Sequence, residues 1–359
     1  MNHYRKSMDA LRFTPEQKRD MVEELLSAGT ARRRKTIPMR RILSVAAAAA
    51  LVAAMGVGAG ASGVLRSAGD VFAGVFGGTP AQTEIIDRIG YPIGASASAD
   101  GITITADAIV GDTYSYAIIY TVARDDGKPL AENLEPNENG LLPLNFSQGG
   151  ASVFHLGGMH GGTYFFDADP SDNAVQYVEQ MSADSPLKAG TARATFRDLN
   201  VWTTGDDMDQ KTTLAAGPWR LKFDFAFEDA TVSLPAGQTF TLNGMEATVD
   251  AVLLSPLSFH VTYTVQEELE WSASRDKSEE TGQMNAHDKE QTRLYFESLP
   301  LSLQMKDGST LELSNAGGSI DPQEGKTVCQ KSNVFSSILD LSQVESMTVG
   351  DVTIPVDVK

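Results

Sequence analysis

Twenty-four consecutive uncharged residues, Ile42 to Leu65, divide the chain into two parts of opposite charge. They follow Arg32-Arg33-Arg34-Lys35 and Arg40-Arg41, and only Arg66 stands close on the other side. As a helix, at about 1.5 Å per residue, the run reaches roughly 36 Å, enough to cross a hydrocarbon core of about 30 Å. The basic flank sets an orientation. By the positive-inside rule, residues 1–41 are expected in the cytoplasm and everything after Leu65 outside the cell membrane. A short inner piece, one transmembrane helix over 42–65 and a large outer piece suit a device that carries information across a membrane.

The charges agree with that split. Residues 1–41 hold 11 Lys/Arg against 5 Asp/Glu, while the rest holds 18 basic and 42 acidic residues, for a net charge of −18. A positive juxtamembrane segment is attracted to an anionic inner leaflet, at about 1 kcal/mol per basic residue near the surface. The acidic outer part argues against nucleic acid as a partner, because phosphates are repelled. Cleavage is the alternative to anchoring, since Ala59-Gly60-Ala61 is an A-x-A triplet of the kind signal peptidase accepts. A usual h-region is only about 7–15 residues long, which favours a retained anchor. Gly56 and Gly60 form a GxxxG spacing, although a small-residue filler is the simpler reading. The glycines weaken the helix and ease its unwinding by an intramembrane protease.

Residues 1–41 are too few for a core but carry helix grammar. Thr14-Pro15-Glu16-Gln17 reads as an N-cap, a proline at the first helical position and a closing Gln. Met21, Val22, Leu25 and Leu26 recur at helical spacing before Gly29, and Tyr4, Met8 and Leu11 form an earlier stripe. Helices this short are marginal alone. The acidic Asp9, Glu16, Asp20, Glu23 and Glu24 disfavour a membrane-lying helix, so these seven apolar residues are the expected partner-binding set.

Beyond the span the chain repeats itself. Gly101–Val122 and Gly244–Val265 align without a gap, with Thr105/Thr248, Asp107/Asp250, Ser115/Ser258 and Tyr120/Tyr263 among the identities. Tyr116, Ile118, Tyr120 and Val122 match Phe259, Val261, Tyr263 and Val265, one face of a strand with period two. A slip by one residue would turn that set to solvent, so both copies are expected to bury the same face. Trp219, Leu221, Phe223, Phe225 and Phe227 alternate with other residues in a half-buried strand. Phe196–Val201 and Leu301–Met305 read similarly, and Asp307-Gly308 is a hairpin turn. Short strands parted by Gly, Pro, Asp and Asn predict a mainly β chain with two tandem immunoglobulin-like β-sandwich domains, 96–231 and 232–359, each opening with the repeated hairpin. Residues 66–95 read as a juxtamembrane linker in which Asp70–Phe76 forms a short amphipathic turn. Glu267–Arg293 reads as an exposed, charged loop with some helix. The lone Cys329 excludes an internal disulfide and reads as a small buried hydrophobe.

Little chemistry is on offer. His155 and His160 stand near Asp167 and Asp169, but the Gly-rich spacing fits no zinc signature. Asp167, Asp169, Asp172 and Asn173 lack the spacing and the glycine of an EF-hand and read as a turn of capping carboxylates. No G-x-S-x-G elbow, H-E-x-x-H, Walker loop or Cys–His pairing occurs. The expectation is no enzyme, no cofactor and no metal.

Tyr4-Arg5-Lys6-Ser7-Met8-Asp9-Ala10-Leu11 with Phe13–Lys18, the basic cluster, the single span and Gly101-Ile102-Thr103-Ile104-Thr105 resemble a family. It is that of membrane-anchored, anti-sigma-factor-like regulators of Gram-positive bacteria, with an immunoglobulin-like ectodomain of unknown function. Asp169–Asn173 and Gly217-Pro218-Trp219 resemble that ectodomain as well. The resemblance implies a cytoplasmic sigma factor as partner and an exterior that senses envelope state, through a ligand or a surface protein. A cell-surface adhesion or structural protein without a cytoplasmic partner is the alternative.

Overall fold

The computed structural model describes residues 65–153, 155–203, 210–272 and 284–358. The run 42–64 and the seven apolar residues Tyr4, Met8, Leu11, Met21, Val22, Leu25 and Leu26 lie outside these. Among the described residues no helix is long and apolar enough to cross a membrane. All of them belong to one compact unit, Val57–Lys359, which is mainly β.

Two helices come first, where a linker was expected. In α1 (Ala68–Phe76) the Ser67 hydroxyl caps the N-terminus by accepting from the Asp70 amide at 3.1 Å. In α2 (Pro80–Ile89) Thr79 and Gln82 close a reciprocal capping box behind Pro80. The turn expected over Asp70–Phe76 is therefore most of a full helix. Phe72 and Phe76, one turn apart, stack at 5.5 Å and are fully buried. The helices cross closely because Gly69 lacks a Cβ, which would stand 2.7 Å from the Thr83 carbonyl oxygen.

Within that unit two pairs of sheets each enclose a core, termed the first and second domains. The first holds β1 (Gly90–Ala99), β2 (Ile102–Gly111), β3 (Ser115–Arg124), β4 (Leu144–Gln148), β5 (Ala151–Ser152), β6 (Met159–Phe166), β7 (Ala174–Ala183), β8 (Gly190–Thr203), β9 (Gln210–Ala215) and β10 (Trp219–Phe225). One sheet runs β1-β2-β3-β7-β6; in the other β8 pairs with β10, β4, β5 and β9. The repeated hairpin is β2–β3 and does not open the domain, because β1 pairs with β2 ahead of it. The two sheets face each other over Ile104, Tyr116, Tyr120, Phe196, Trp219 and Phe225. Alternation along β10 is as read from sequence, with Trp219, Leu221, Phe223 and Phe225 inward. The Trp219 indole ties the layers by donating to the Ile102 carbonyl at 2.9 Å.

The second domain holds β11 (Val232–Leu234), β12 (Thr239–Leu242), β13 (Met245–Leu254), β14 (Ser258–Val265), α3 (Ala286–Thr292), β15 (Leu301–Met305), β16 (Thr310–Glu312), β17 (Gly317–Gln323), β18 (Lys326–Val334), β19 (Val344–Val349) and β20 (Val352–Pro355). Its sheets run β11-β13-β14-β18-β17, with β12 beside β13, and β16-β15-β19-β20. They enclose a largely aliphatic core that includes Val249, Val261, Tyr263, Leu303, Cys329 and Met347.

The repeat extends below the level of the strand. Pairing slips between Ala106 and Ala108 in β2 and between Val249 and Ala251 in β13, so Asp107 and Asp250 are the extra residues of matching bulges. Each carboxylate accepts a threonine hydroxyl from the next strand, Thr121 at 2.7 Å and Thr264 at 2.6 Å.

Candidate functional site

The two copies meet through the same turn. Asp112 and Ser255 occupy equivalent places in the alignment, as do Ser115 and Ser258, and each turn closes alike. The Asp112 amide donates to the Ser115 carbonyl at 2.8 Å, and the Ser255 amide to the Ser258 carbonyl at 2.9 Å. Equivalent positions facing one another are the mark of a two-fold contact, here inside one chain.

Asp112 is the polar centre of this junction and is buried. One carboxylate oxygen accepts from the Tyr114 amide at 2.9 Å and the Ser115 amide at 2.7 Å, holding its own turn. The other accepts hydroxyls from the second domain, Ser255 at 2.5 Å and Ser258 at 2.6 Å. Four donors favour the anion, yet burial outweighs them and pushes the carboxyl pKa up from its ordinary value.

Three further contacts surround it. The Tyr114 ring stacks on His260 with centroids 4.1 Å apart. His160 reaches across to the second domain, where its Nε2 stands 3.0 Å from the Ser332 carbonyl oxygen. Gly317 leaves room for that ring, since a Cβ there would stand 2.7 Å from it. The connector between the domains is tied down as well, with Thr113 donating to Asp229 at 2.7 Å.

Beside these polar contacts lies a separate apolar cluster. Phe72, Phe76, Ile86 and Ile89 of the helices pack on Ala108, Val110, Ala117, Ile119 and Val178 of the first sheet and on Leu257, Val334 and Ile338 of the second domain. The Ile338 amide donates to the Phe76 carbonyl at 3.1 Å, so the C-terminal end of α1 is bonded to the second domain. A mixed cleft of about 410 Å³ opens beside it, lined by Ile85 and Arg88 of α2 and by Pro256, Leu339, Asp340 and Leu341.

Away from the junction, Glu179 is buried in the first core. It accepts from Tyr116 at 2.8 Å, Tyr120 at 3.1 Å and the Ala151 amide at 3.0 Å, and burial raises its pKa despite these donors. The Ala151 amide contact ties β5 to β7 through this carboxylate. Lys331 is buried too, with its ammonium bonded to the Ser314 carbonyl and 4.7 Å from the Phe296 ring centre. Burial pulls its pKa down to about 8.

The residues weighed from sequence as a metal site are dispersed. His160 serves the junction, whereas Asp167, Asp169 and Asp172 accept from backbone amides two residues further on. Among the described residues no group of three His, Cys, Asp or Glu side chains could hold a metal ion. No sequence motif pointed to Asp112, Tyr114 or His260. The one available signal was the apolar outer face of β3, Ala117 and Ile119, which marks a strand buried on both sides.

No family model matches the chain, and no curated protein does. Among solved structures it is similar to "The crystal structure of the conserved domain protein from Bacillus anthracis", with 12% identity and a TM-score of 0.43. That match covers 72% of this chain and 75% of the other. The likeness is too slight to carry an argument about fold or function.

Proposed function

We propose that the chain is a single-pass membrane signal transducer, an anti-sigma-factor-like regulator. Residues 1–41 hold a sigma factor at the inner face through Tyr4, Met8, Leu11, Met21, Val22, Leu25 and Leu26. Two tandem immunoglobulin-like sandwiches outside respond to envelope state. The observation that carries this reading is the lack of slack after the uncharged run. Only Arg66 and the capping Ser67 separate Leu65 from α1, and α1 is buried against both domains. A rearrangement of the outer domains therefore pulls on the residues that enter the span. A freely tethered surface domain needs no such attachment. The charge split and the N-terminal helix grammar support the same reading.

Capture from membranes tests it, using the full chain and a variant with Leu11, Leu25 and Leu26 each changed to Asp. A sigma factor is expected with the unaltered chain and lost with the variant. Equal recovery with both would refute the reading. Deleting residues 2–28 separates the adhesion alternative, since an adhesin keeps its surface function while a regulator loses transcriptional control.

A further inference from the structure

His260 lies on the face of β14 turned toward the first domain and is only 4% exposed. Its Nδ1 is buried without a hydrogen-bond partner among the described residues, and its Nε2 has the Thr262 hydroxyl at 3.4 Å. Tyr114 covers one face of the ring, and His160 brings a second imidazole to the same junction. A neutral ring fits this place, because it needs one donor and one acceptor contact at most. An imidazolium carries two N–H groups and finds no acceptor among the described residues for the one at Nδ1.

We propose that the junction is an acid-released latch, in which protonation of His260 loosens the docking of the two domains. The charged and titratable groups around the ring act in different directions. Tyr114 offers a cation–π contact, and Asp184 attracts the cation. His160 repels it when charged. Asp112, on the same turn as Tyr114, works in the opposite sense, because burial favours its protonated form. Lys331 turns to Ser314 and Phe296 and does not face the ring. Burial of the ring is the largest effect, and the His260 pKa is pulled down to about 4. Separation of the domains returns the ring to water and to its ordinary value.

The sign follows from linkage. A group whose pKa is lowered by docking stabilises the docked state above its ordinary value, and that stability is lost as pH falls toward the docked value. Between pH 7.5 and 4.5 the docking equilibrium weakens roughly 70-fold through His260 alone, for an ordinary pKa near 6.5 and a docked one near 4.

Hydrogen exchange on the full chain in detergent micelles tests the latch. The probe is the segment 335–339, whose Ile338 amide is bonded across the junction to Phe76. Its protection, corrected for the intrinsic pH dependence of exchange, is compared between the unaltered chain and His260→Phe, which keeps the stack and cannot titrate. Asp112 is common to both, so their difference isolates His260. The expected result is a loss of protection at pH 4.5 on the order of 10²-fold greater in the unaltered chain. Identical pH dependence in both would overturn the proposal. Amides of the β13–β14 ladder report whether the variant is folded, and His260→Gln replaces it if they lose protection. The latch stands apart from the membrane reading, since its failure leaves sigma-factor capture unaffected.

Discussion

Replacing Asp112 by alanine should cost about 3–5 kcal/mol, shared between its own turn and the contact between the domains. Four donors converge on this carboxylate, two from its own turn and two hydroxyls from the second domain. The Ser255 hydroxyl has a fallback in the Ser258 carbonyl at 3.3 Å. The other three are left facing a methyl group, at about 1–3 kcal/mol for each buried donor without a partner. Relief of a buried charge offsets part of that sum. Asparagine is the informative contrast. Its carbonyl keeps the Tyr114 and Ser115 amides, and its amide group can donate to Ser258. Ser255 already accepts from the Leu257 and Ser258 amides at 3.0 and 2.9 Å and has no room for another donor. The expected loss for Asp112→Asn is therefore about 1–2 kcal/mol. Urea unfolding of the full chain in micelles, followed by tryptophan fluorescence, measures both variants. A pH series adds a sign. A carboxyl with a raised folded pKa stabilises most at low pH and loses that contribution as pH rises through the folded value, so the asparagine variant should close on the unaltered chain as pH rises. An alanine variant within about 0.5 kcal/mol of the unaltered chain, or an asparagine variant as damaged as alanine, would refute the reasoning.

Other perturbations have equally definite outcomes. Phe76→Ala should cost about 3–5 kcal/mol, since the ring is fully buried and stacked on Phe72, and calorimetry should show the two domains melting more independently. Glu179→Gln should flatten the pH dependence of stability. Burial raises the native pKa of Glu179, so its contribution is largest in acid and falls as pH climbs above about 4.3, which denaturation at several pH values will reveal. Cys329 should resist maleimide in the native chain at pH 7.5 and react once unfolded. The thiol is fully buried with its pKa pushed up to about 12, and rapid native labelling would contradict that environment.

What the sequence allowed and what it hid follow from the range of the interactions. Local alternation placed β10 and the repeated hairpins, because a strand with one buried face writes its period into neighbouring residues. Helix α1 shows in the sequence as a short amphipathic turn over Asp70–Phe76, and α2 carries its own capping signal. Thr79-Pro80-Ala81-Gln82 has the grammar of Thr14-Pro15-Glu16-Gln17, and its capping box forms in the structure. Gly90, Pro92 and Gly94 disguised β1, whose pairing slips between Pro92 and Ala95. The junction was not legible. Asp112 meets Ser255 and Ser258, far along the chain, and no local pattern announces that equivalent turns of two copies will face each other. Asp112 alone looks like any turn aspartate, and His260 alone like a polar residue in a strand.

The central claim is that the uncharged run remains in the membrane with the outer domains attached to it. N-terminal sequencing and sizing of the mature protein in the membrane fraction test this most directly. The expected result is a membrane-bound chain that still carries the residues ahead of Ile42 and is trimmed by added protease only from the outside. A product beginning at Ser62 and found in the medium would contradict it.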